Sequence, residues 1–376
     1  MSDTTPTSDS TIEHVYIHVP FCLRKCGYCS FYSQPITEAA RVLFLDGLHR
    51  EIEMYHAAYD VRPRTIYFGG GTPSLLSPDE IDAILARFDL SLADEITIEA
   101  NPATVNDRYA AALAATPVNR VSLGAQSFDD AELQWLGRMH NADATMETFA
   151  ALRRHGQRNL SLDIIYGLPG QTQAALDRSL DAVQRLAPEH VSLYCLSLEP
   201  GTPLWSERDS LPADDAVADL YEHLCERLPR MGYEAYELSS FAKVGFASRH
   251  NLSYWDGSLY IGLGPSAAGN LPGVRYRNPA GIEPWLRTVQ AGNVAPNAIP
   301  VSVPERRNEF MFLGLRRTRG VSAAEFAQRF GVSVESVWGE AIERYERLGM
   351  LRREGERLML TPRAWFVSNE ILQAFC

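Results

Sequence analysis

The sequence has no apolar run that could cross a membrane. Spanning a bilayer takes about 20 consecutive apolar residues, and the 376 residues contain no such stretch. The opening residues, MSDTTPTSDSTIEH, also lack the basic and apolar regions of a secretory signal. We therefore expect a cytoplasmic location, with at most peripheral contact with a membrane.

Positive charge is also scarce. The chain has 35 Lys and Arg against 47 Asp and Glu, a net charge of −12, with 45% hydrophobic residues and 22% charged residues. The apolar and charged fractions are ordinary for a globular protein. Binding to a nucleic-acid backbone needs clustered cations, so we expect no nucleic-acid partner.

Cysteine is infrequent but uneven in its placement. Three of the six cysteines lie in one stretch, CLRKCGYC, as Cys22, Cys26 and Cys29. In a reducing compartment such a cluster indicates metal ligands or catalysis more than disulfides. Of the remaining three, Cys195 lies in an apolar stretch and is expected in the core.

Regular βα alternation predicts an α/β fold. Residues 1–13 are expected to be a disordered tail, and residues 14–242 contain six βα units, which is typical of parallel strands joined by helices. A full eightfold barrel takes about 250 residues, so we predict a partial (β/α)6 TIM-like barrel. Strands are expected at 14–21, 64–70, 95–100, 119–128, 159–167 and 190–198, with a further edge strand at 233–242.

The pattern changes beyond the barrel. Residues 243–303 are expected to be a connecting segment, and residues 304–376 a C-terminal α-helical, winged-helix-like domain of helices and a hairpin. Both charge signs occur on this domain, so we expect it to pack as an accessory domain and not to read DNA. The segment GLGPSAAG (262–269) does not open a helix after a strand, which argues against a dinucleotide-binding turn.

Each predicted barrel strand ends in chemically unusual residues. In parallel α/β folds the carboxyl ends of the strands meet at one mouth, where functional side chains gather. One such strand end is weak evidence of function, but the convergence of several at one mouth of the barrel predicts a functional site there. The ends are the cysteine cluster, Gly69–Pro73, Glu99–Pro102, Gly124–Ser127, Asp163 with Tyr166–Gly170, and Glu199–Gly201.

Three chemistries fit the cysteine cluster. His18 could complete a tetrahedral zinc site with the three thiolates. Cys26 and Cys29 could instead form a redox pair, although that leaves Cys22 without a role. The third possibility is a four-iron cluster, which takes four thiolates when fully ligated; three would leave one iron open.

The spacing Cys-x3-Cys-x2-Cys, with Tyr28 before the last cysteine, resembles the radical S-adenosylmethionine (SAM) superfamily. The resemblance implies a [4Fe-4S] cluster on Cys22, Cys26 and Cys29, with SAM bound at the open iron. It also implies that one electron can cleave SAM to methionine and a 5′-deoxyadenosyl radical.

Further segments are similar to the HemN/HemW group, which is oxygen-independent coproporphyrinogen III oxidase-like. They are YIHVPFC, GGGTP, IEANP, VSLGAQSF, LGRMH and DIIYGLPGQT, within about residues 14–270, and the C-terminal domain is also similar. The resemblance implies a set of SAM contacts. These are Tyr16 and Arg138 at the carboxylate region, Gly70, Gly71 and Thr72 at the amino group, and Glu99, Gln126 and Asp163 at the ribose and nearby atoms.

Two departures argue against the oxidase activity itself. Phe31 stands where the oxidases carry a fourth nearby cysteine, and only 21 residues precede Cys22, where the oxidases have a longer arm. The segment RHNLSYW (249–255) instead resembles the HemW branch of haem chaperones. Imidazole is a common haem ligand, and His250 is the residue that this resemblance implies.

The resemblance thus implies a haem chaperone that binds haem and delivers it to haem-dependent membrane respiratory proteins. Coproporphyrinogen III oxidation, a related radical SAM methylation and a zinc-bearing barrel remain the alternatives. Two matters stay open: whether SAM is cleaved, and whether the chain acts alone or as a homodimer.

Overall fold

The computed structural model describes residues 11–376, which form two compact units. The first unit comprises residues 11–220 and 259–299, and the second comprises residues 221–258 and 300–376. Most of the predicted disordered tail, residues 1–10, lies outside the described residues. Its last residues belong to the fold, because the first strand begins at Ile12.

The described strands and helices alternate along the first unit, as expected. The strands are β1 (Ile12–Val19), β2 (Phe21–Cys22), β3 (Gln34–Pro35), β4 (Val61–Gly70), β5 (Glu95–Ala100), β6 (Arg120–Gln126), β7 (Leu160–Tyr166), β8 (His190–Cys195), β9 (Glu234–Glu237), β10 (Ser240–Ala242), β11 (Tyr260–Leu263), β12 (Ala268–Leu271), β13 (Val274–Arg277), β14 (Ile299–Pro300), β15 (Val321–Ser322), β16 (Leu351–Glu354) and β17 (Arg357–Leu360). The α-helices are α1 (Glu38–Ala58), α2 (Pro78–Leu85), α3 (Asp107–Leu113), α4 (Asp130–Trp135), α5 (Ala142–Arg154), α6 (Gln173–Leu186), α7 (Asp214–Arg230), α8 (Arg249–Trp255), α9 (Ile282–Gln290), α10 (Val303–Gly314), α11 (Ala323–Phe330), α12 (Val334–Arg347) and α13 (Ser368–Leu372).

A large, mainly parallel sheet organises the first unit. Within this unit, nine consecutive strands of the sheet have the order β13-β12-β11-β1-β4-β5-β6-β7-β8. Strands β1, β4, β5, β6, β7 and β8 are parallel to their neighbours in this series. These are the six predicted strands, in the predicted order, each followed by a helix. The predicted α/β class and the partial (β/α)6 TIM-like barrel are confirmed.

A seventh parallel strand was not predicted. Strand β11 pairs in parallel with β1, placing Gly262 opposite Tyr16. The chain then turns at Gly264, whose φ is +90°, into the antiparallel strands β12 and β13. No helix follows β11 directly, so the structure agrees with the rejection of a dinucleotide-binding turn.

The turn after β11 is anchored by a buried carboxylate on α1. Glu51 accepts hydrogen bonds from Gly264 N at 2.7 Å and from Asn278 Nδ2 at 2.7 Å. Burial raises the pKa of Glu51 to about 7. Such a group is tolerated inside a protein because its oxygens are hydrogen-bonded, and here it ties α1 to the edge of the sheet.

Helix α1 covers the sheet through an aromatic contact. The ring of Phe44 packs against Trp285 of α9 and Phe21 at the start of the cysteine loop, with centroid separations of 5.8 and 5.5 Å. Gly47 of α1 allows this approach, since a Cβ there would lie 2.8 Å from the Trp285 ring. The core therefore reaches the base of the loop that carries the cysteines.

The second unit contains the winged-helix-like part. It contains helices α10, α11 and α12 and a three-stranded antiparallel sheet in the order β15-β17-β16, in which β15 lies between α10 and α11 along the chain. Phe326 and Trp338 lie in its core, with ring centroids 5.5 Å apart. The strand predicted at 233–242 is the antiparallel pair β9 and β10. In the described part of the chain, no helix is long and apolar enough to cross a membrane.

The close approach of β11 to β12 gives a first prediction. A Cβ at Gly262 would lie 1.9 Å from the carbonyl oxygen of Ala268, which is backbone and cannot rotate away. We expect Gly262→Ala to lower the free energy of unfolding by about 1–3 kcal/mol, the range for overpacked interiors. Chemical denaturation measures this. Gly339→Ala is the control, because a Cβ there meets nothing within 4 Å; equal stability of the two variants would contradict the prediction.

Candidate functional site

The cysteine loop lies at the carboxyl end of β1 and is pinned on both sides. Gly27 N donates to the carbonyl of Leu136 at 3.3 Å, and Leu204 N donates to the carbonyl of Gly27 at 2.9 Å. Gly27 is required for this packing, since a Cβ there would lie 2.7 Å from the Leu204 side chain. The loop therefore has a defined position relative to the strand ends.

The three thiols of the loop face polar and charged neighbours. Thr72 Oγ1 donates to Cys22 Sγ at 3.6 Å, and Arg138 Nη1 donates to Cys26 Sγ at 3.4 Å. The pKa of the Cys29 thiol is raised, chiefly by burial and also by the neighbouring Cys26 and Cys22. The structure thus places the three predicted cluster ligands on one loop, each partly buried.

His18 is not available as a fourth ligand. Its side chain is 5% exposed, its Nε2 is 2.9 Å from the carbonyl oxygen of Tyr32, and its Nδ1 is 3.2 Å from the hydroxyl of Tyr16. Among the described residues, no three metal-ligating side chains converge as they would around a single ion. The contacts of its two ring nitrogens argue against His18 as a zinc ligand.

The donor set fits a [4Fe-4S] cluster with one open iron. Three thiols on one loop supply three ligands, and Arg138 donates a hydrogen bond to one of them, Cys26. Phe31, at the position of the oxidases' extra cysteine, is 65% exposed. When bound, such a cluster supplies one electron and one free coordination position.

Two glycines at the end of β4 form a cradle beside the loop. Gly70 has φ +107°, and a Cβ there would lie 2.6 Å from the His18 ring. A Cβ at Gly71 would lie 2.5 Å from the carbonyl oxygen of Phe21. Gly71 N donates to the carbonyl of Val19 at 2.8 Å. Only glycine fits both positions, which keeps the backbone close to the cysteines.

A carboxylate on β5 faces this cradle. Glu99 accepts hydrogen bonds from Tyr67 Oη at 2.9 Å and from Gly70 N at 3.1 Å. The Tyr67 ring stacks on Tyr16, with centroids 6.2 Å apart. Tyr16, Gly70 and Glu99 are therefore gathered at the mouth, as predicted, and Tyr67 is an additional member of the group.

A second carboxylate, Asp163 on β7, lies near enough to influence the first. Ser122 Oγ donates to Asp163 Oδ1 at 3.0 Å. Burial raises the pKa of Glu99 to about 7, and the charge of Asp163 adds to the effect; burial also raises the pKa of Asp163. Two acids that resist ionisation suit a ligand that brings hydroxyl donors and positive charge.

Strand β6 ends in a strained bulge. Gln126 has φ +68°, which is uncommon for a residue with a side chain, and the pairing of β6 with β7 shifts between Leu123 and Gln126. Strain of this kind persists where the surroundings enforce it. It turns Gln126, a predicted SAM contact, out of the regular strand direction.

Two side chains of the LGRMH segment hold this bulge. Arg138 Nη2 donates to the carbonyl of Gly124 at 2.8 Å, and His140 Nε2 lies 3.2 Å from the carbonyl oxygen of Ala125. Burial, assisted by Arg138, lowers the pKa of His140 to about 4. The neutral ring can therefore donate from Nε2, which makes His140 a positioning residue for Gln126.

One nitrogen of the Arg138 guanidinium makes no hydrogen bond within the described protein. Its Nε is buried and has no hydrogen-bond partner among the described residues. A guanidinium binds a carboxylate through paired N–H groups. The unpartnered Nε therefore supports a carboxylate ligand next to Cys26, and this evidence is independent of the sequence motif.

Sequence reasoning missed several residues of the mouth. Tyr67 could have been found from strand pairing, because it is opposite Tyr16 on β4. The LGRMH segment contains His140, but no role was predicted for this residue or for Ser122, because both roles depend on contacts made in the tertiary structure.

His250 lies in the second unit, whereas the predicted SAM contacts lie in the first. It is on α8, which is capped by Ser248 through a hydrogen bond from Asn251 N. The His250 side chain is 1% exposed, and its Nε2 is 2.9 Å from Tyr254 Oη. Ligation of iron through Nε2 would require the imidazole to leave Tyr254.

The prediction for Cys195 is wrong. Burial along β8 stops at Leu193, and Cys195, at the end of the strand, is exposed.

Comparisons with known proteins agree with this geometry. Residues 16–183 match the radical SAM superfamily, and residues 301–367 match the HemN C-terminal domain. The chain is 34% identical to "Heme chaperone HemW" of Lactococcus lactis, over 96% of each chain. It is 35% identical to mitochondrial "Radical S-adenosyl methionine domain-containing protein 1" of Bos taurus, over 86% of this chain and 77% of the relative.

A solved structure has the same fold. Coproporphyrinogen III oxidase (HemN) from Escherichia coli matches with a TM-score of 0.84, covering 98% of this chain and 90% of that chain, at 20% identity. The fold and the three-cysteine loop define the class, a radical SAM protein. Within that class, the chain belongs to the HemN/HemW family, on its HemW branch.

The pKa of Glu99 predicts a pH dependence of stability. The folded-state pKa of about 7 exceeds the ordinary value of 4.5, so the folded state keeps the proton to higher pH. The contribution of Glu99 to stability is therefore present below pH 4.5 and is lost as pH rises through 7. Replacing Glu99 by Gln removes this loss, so we expect Glu99→Gln to gain about 1–3 kcal/mol relative to wild type between pH 5 and pH 8.

Melting curves of the ligand-free protein across this pH range measure the difference. Glu147→Gln, at an exposed position on α5, is the control. Its difference in melting temperature from wild type should be the same at every pH. A constant offset for Glu99→Gln as well would show that Glu99 does not titrate differently in the folded state.

The hydrogen bond of His140 to the bulge gives another prediction. His140→Leu removes a buried donor worth about 1–3 kcal/mol, so SAM affinity should fall about tenfold. His140→Gln keeps an amide donor at a similar reach and should bind SAM within a factor of two or three of wild type. Calorimetric titration of SAM into the cluster-loaded protein measures both. Equal affinities for the Leu and Gln variants would remove the positioning role.

Proposed function

We propose that the protein is a cytoplasmic haem chaperone of the radical SAM class. It holds a [4Fe-4S] cluster through Cys22, Cys26 and Cys29, binds SAM at the open iron, and binds haem for delivery to haem-dependent respiratory proteins of the membrane. The observation that carries this proposal is the presence in one chain of the three-cysteine loop and the RHNLSYW helix.

The relatives support the same assignment. Those named "Heme chaperone HemW" match almost the whole chain, including the segment with His250. Since the likeness to coproporphyrinogen III oxidase is at 20% identity, it supports the fold and not the decarboxylase activity. Phe31 in place of a further cysteine also favours the chaperone over the oxidase.

The residues of the mouth have definable tasks towards SAM. Arg138 would bind the carboxylate through the guanidinium edge that carries the unpartnered Nε. The backbone at Gly70, Gly71 and Thr72 would lie along the amino group. Glu99, Gln126 and Asp163 would accept hydrogen bonds from the ribose hydroxyls and neighbouring donors, and Tyr16 would close one side of the pocket. The residue types in this set and their places at neighbouring strand ends agree with one ligand bound across those ends.

Haem binding would depend on the contact between His250 and Tyr254. A histidine ligand to haem needs a free ring nitrogen, whereas Nε2 is 2.9 Å from the Tyr254 hydroxyl. Trp255 Nε1 is buried without a hydrogen-bond partner among the described residues. We infer that a small rearrangement of α8 exposes the imidazole when haem arrives.

Haem titration tests the role of His250. We expect His250→Ala to weaken haem binding at least tenfold, because the axial ligand is lost. Tyr254→Phe should strengthen it, because the ring nitrogen no longer has a hydroxyl partner. The change in the Soret band during anaerobic titration measures both. His223→Ala, on α7, is the control; if neither His250→Ala nor Tyr254→Phe alters the titration, His250 is not the ligand.

A second assay separates the chaperone from the oxidase. The anaerobic protein is supplied with coproporphyrinogen III, SAM and a reductant, and the porphyrin products are analysed. We expect no conversion of propionate groups to vinyl groups. Vinyl formation would contradict the chaperone proposal and establish the oxidase alternative.

A further inference from the structure

A group of arginines lies at the end of α8, away from the strand ends of the barrel. We define it as the arginine cluster: Arg316, Arg317, Arg319 and Arg357. Arg317 and Arg319 both pair with Asp256, the residue that caps α8, and Arg319 Nη2 is 3.6 Å from Asp256 Oδ1. The cluster, Asp256 and His250 all belong to the second unit.

The buried member of the cluster, Arg317, is short of negative charge. Its Nη2 and Arg357 Nη2 both donate to the carbonyl of Gly320 at 3.3 Å, which brings two guanidiniums to one oxygen. The pKa of Arg317 is lowered to about 10, first by burial and then by the charges of Arg319 and Arg357. A buried cation with too little counter-charge is costly, so a further anion at this place would offset that cost.

Three N–H groups at the cluster have no acceptor. The guanidinium carbon of Arg316 lies 5.2 Å from the centre of the Trp255 ring. Arg316 Nε, Arg317 Nε and Trp255 Nε1 are buried and have no hydrogen-bond partner among the described residues. Cations are favoured at the carboxyl end of a helix, which accounts for the charge of the cluster but not for these donors. Since buried donors normally have partners, the three together indicate a ligand with several acceptor oxygens.

Strand β9 holds the backbone that carries these donors. Leu238 N donates to the carbonyl of Arg316 at 3.1 Å, and Thr318 N donates to the carbonyl of Tyr236 at 3.1 Å. Leu315, directly before Arg316, is buried in the core of the second unit. The donors are therefore presented from a fixed position, and a site that is already in place binds its ligand at a lower entropic cost.

We propose that the arginine cluster and Trp255 bind the propionate carboxylates of haem. The inference rests on the proposed haem chaperone function and deepens it, because it names the groups that recognise the acidic edge of the ligand. His250 and Trp255 are both on α8, five residues apart, which is about 7.5 Å along a helix axis. A porphyrin with its propionates is wide enough to bridge that distance, so one haem molecule can meet both.

Charge and position favour haem carboxylates over other anions. Arginine binds carboxylates through paired N–H groups, and an indole N–H can donate to a remaining oxygen. A nucleic acid also carries anionic oxygens, but the net charge of −12 opposes the broad contact that a phosphate backbone makes. The fixed cluster would hold the propionates while the imidazole of His250 leaves Tyr254 to reach the iron.

Haem with esterified propionates tests this inference. The dimethyl ester of haem keeps the iron and the ring but has no carboxylate. Titrations followed at the Soret band, with haem and its ester in the same non-ionic detergent, give both affinities. We expect the wild-type protein to bind haem at least about tenfold more tightly than the ester, because the ester loses hydrogen bonds between charged groups.

Two variants locate the preference for haem. Arg316→Gln and Trp255→Phe each remove a donor and leave His250 in place. We expect each to weaken haem binding about tenfold and to leave the affinity for the ester within a factor of two of wild type. Arg344→Gln is the matched control, since Arg344 also lies over an aromatic ring of this unit, 5.4 Å from the centre of Tyr345. It should bind both ligands as wild type does.

The outcomes separate the two proposals. If the wild-type protein binds neither haem nor the ester, the proposed function fails and the inference fails with it. If it binds both equally, haem binding stands and the propionate inference alone is overturned. The inference is also overturned if Arg316→Gln and Trp255→Phe keep the wild-type preference for haem, if they weaken both ligands by the same factor, or if Arg344→Gln has an equal effect. Melting temperatures show that a loss of binding is not a loss of folding.

Discussion

The guanidinium of Arg138 is the contact on which the site depends. It donates to Cys26 Sγ on the cysteine loop and to the carbonyl of Gly124 at the bulge of β6. One side chain thus fixes the loop against the strand that carries Gln126. Its remaining Nε is buried and unpartnered in the described protein, which leaves a donor for a ligand carboxylate at the same place.

The residues around Arg138 act on one another through burial and charge. Burial raises the pKa of both Glu99 and Asp163, and the charge of Asp163 adds to the effect on Glu99. A ligand that donates hydrogen bonds to both would relieve this cost, so ligand binding and the protonation of the mouth are coupled. The strain at Gln126 fits the same account, since His140 and Arg138 hold the carbonyls on which the bulge depends.

The sequence predicted those parts of the fold that local pattern determines. Alternating βα units located the six parallel strands. Strand β11 escaped prediction because a four-residue strand that contains a glycine carries little periodicity. Cys195 was misplaced because an apolar neighbourhood does not reveal where burial along a strand ends. The contacts of His140 and the burial of His250 depend on tertiary structure, which no motif encodes.

The central claim is that three thiolates hold a four-iron cluster whose fourth iron is open to SAM. Mössbauer spectroscopy of protein reconstituted anaerobically with ⁵⁷Fe tests it most directly. The account predicts that adding SAM changes the isomer shift and quadrupole splitting of one iron in four. A spectrum that SAM leaves unchanged, or a cluster that needs a fourth protein ligand, would contradict it.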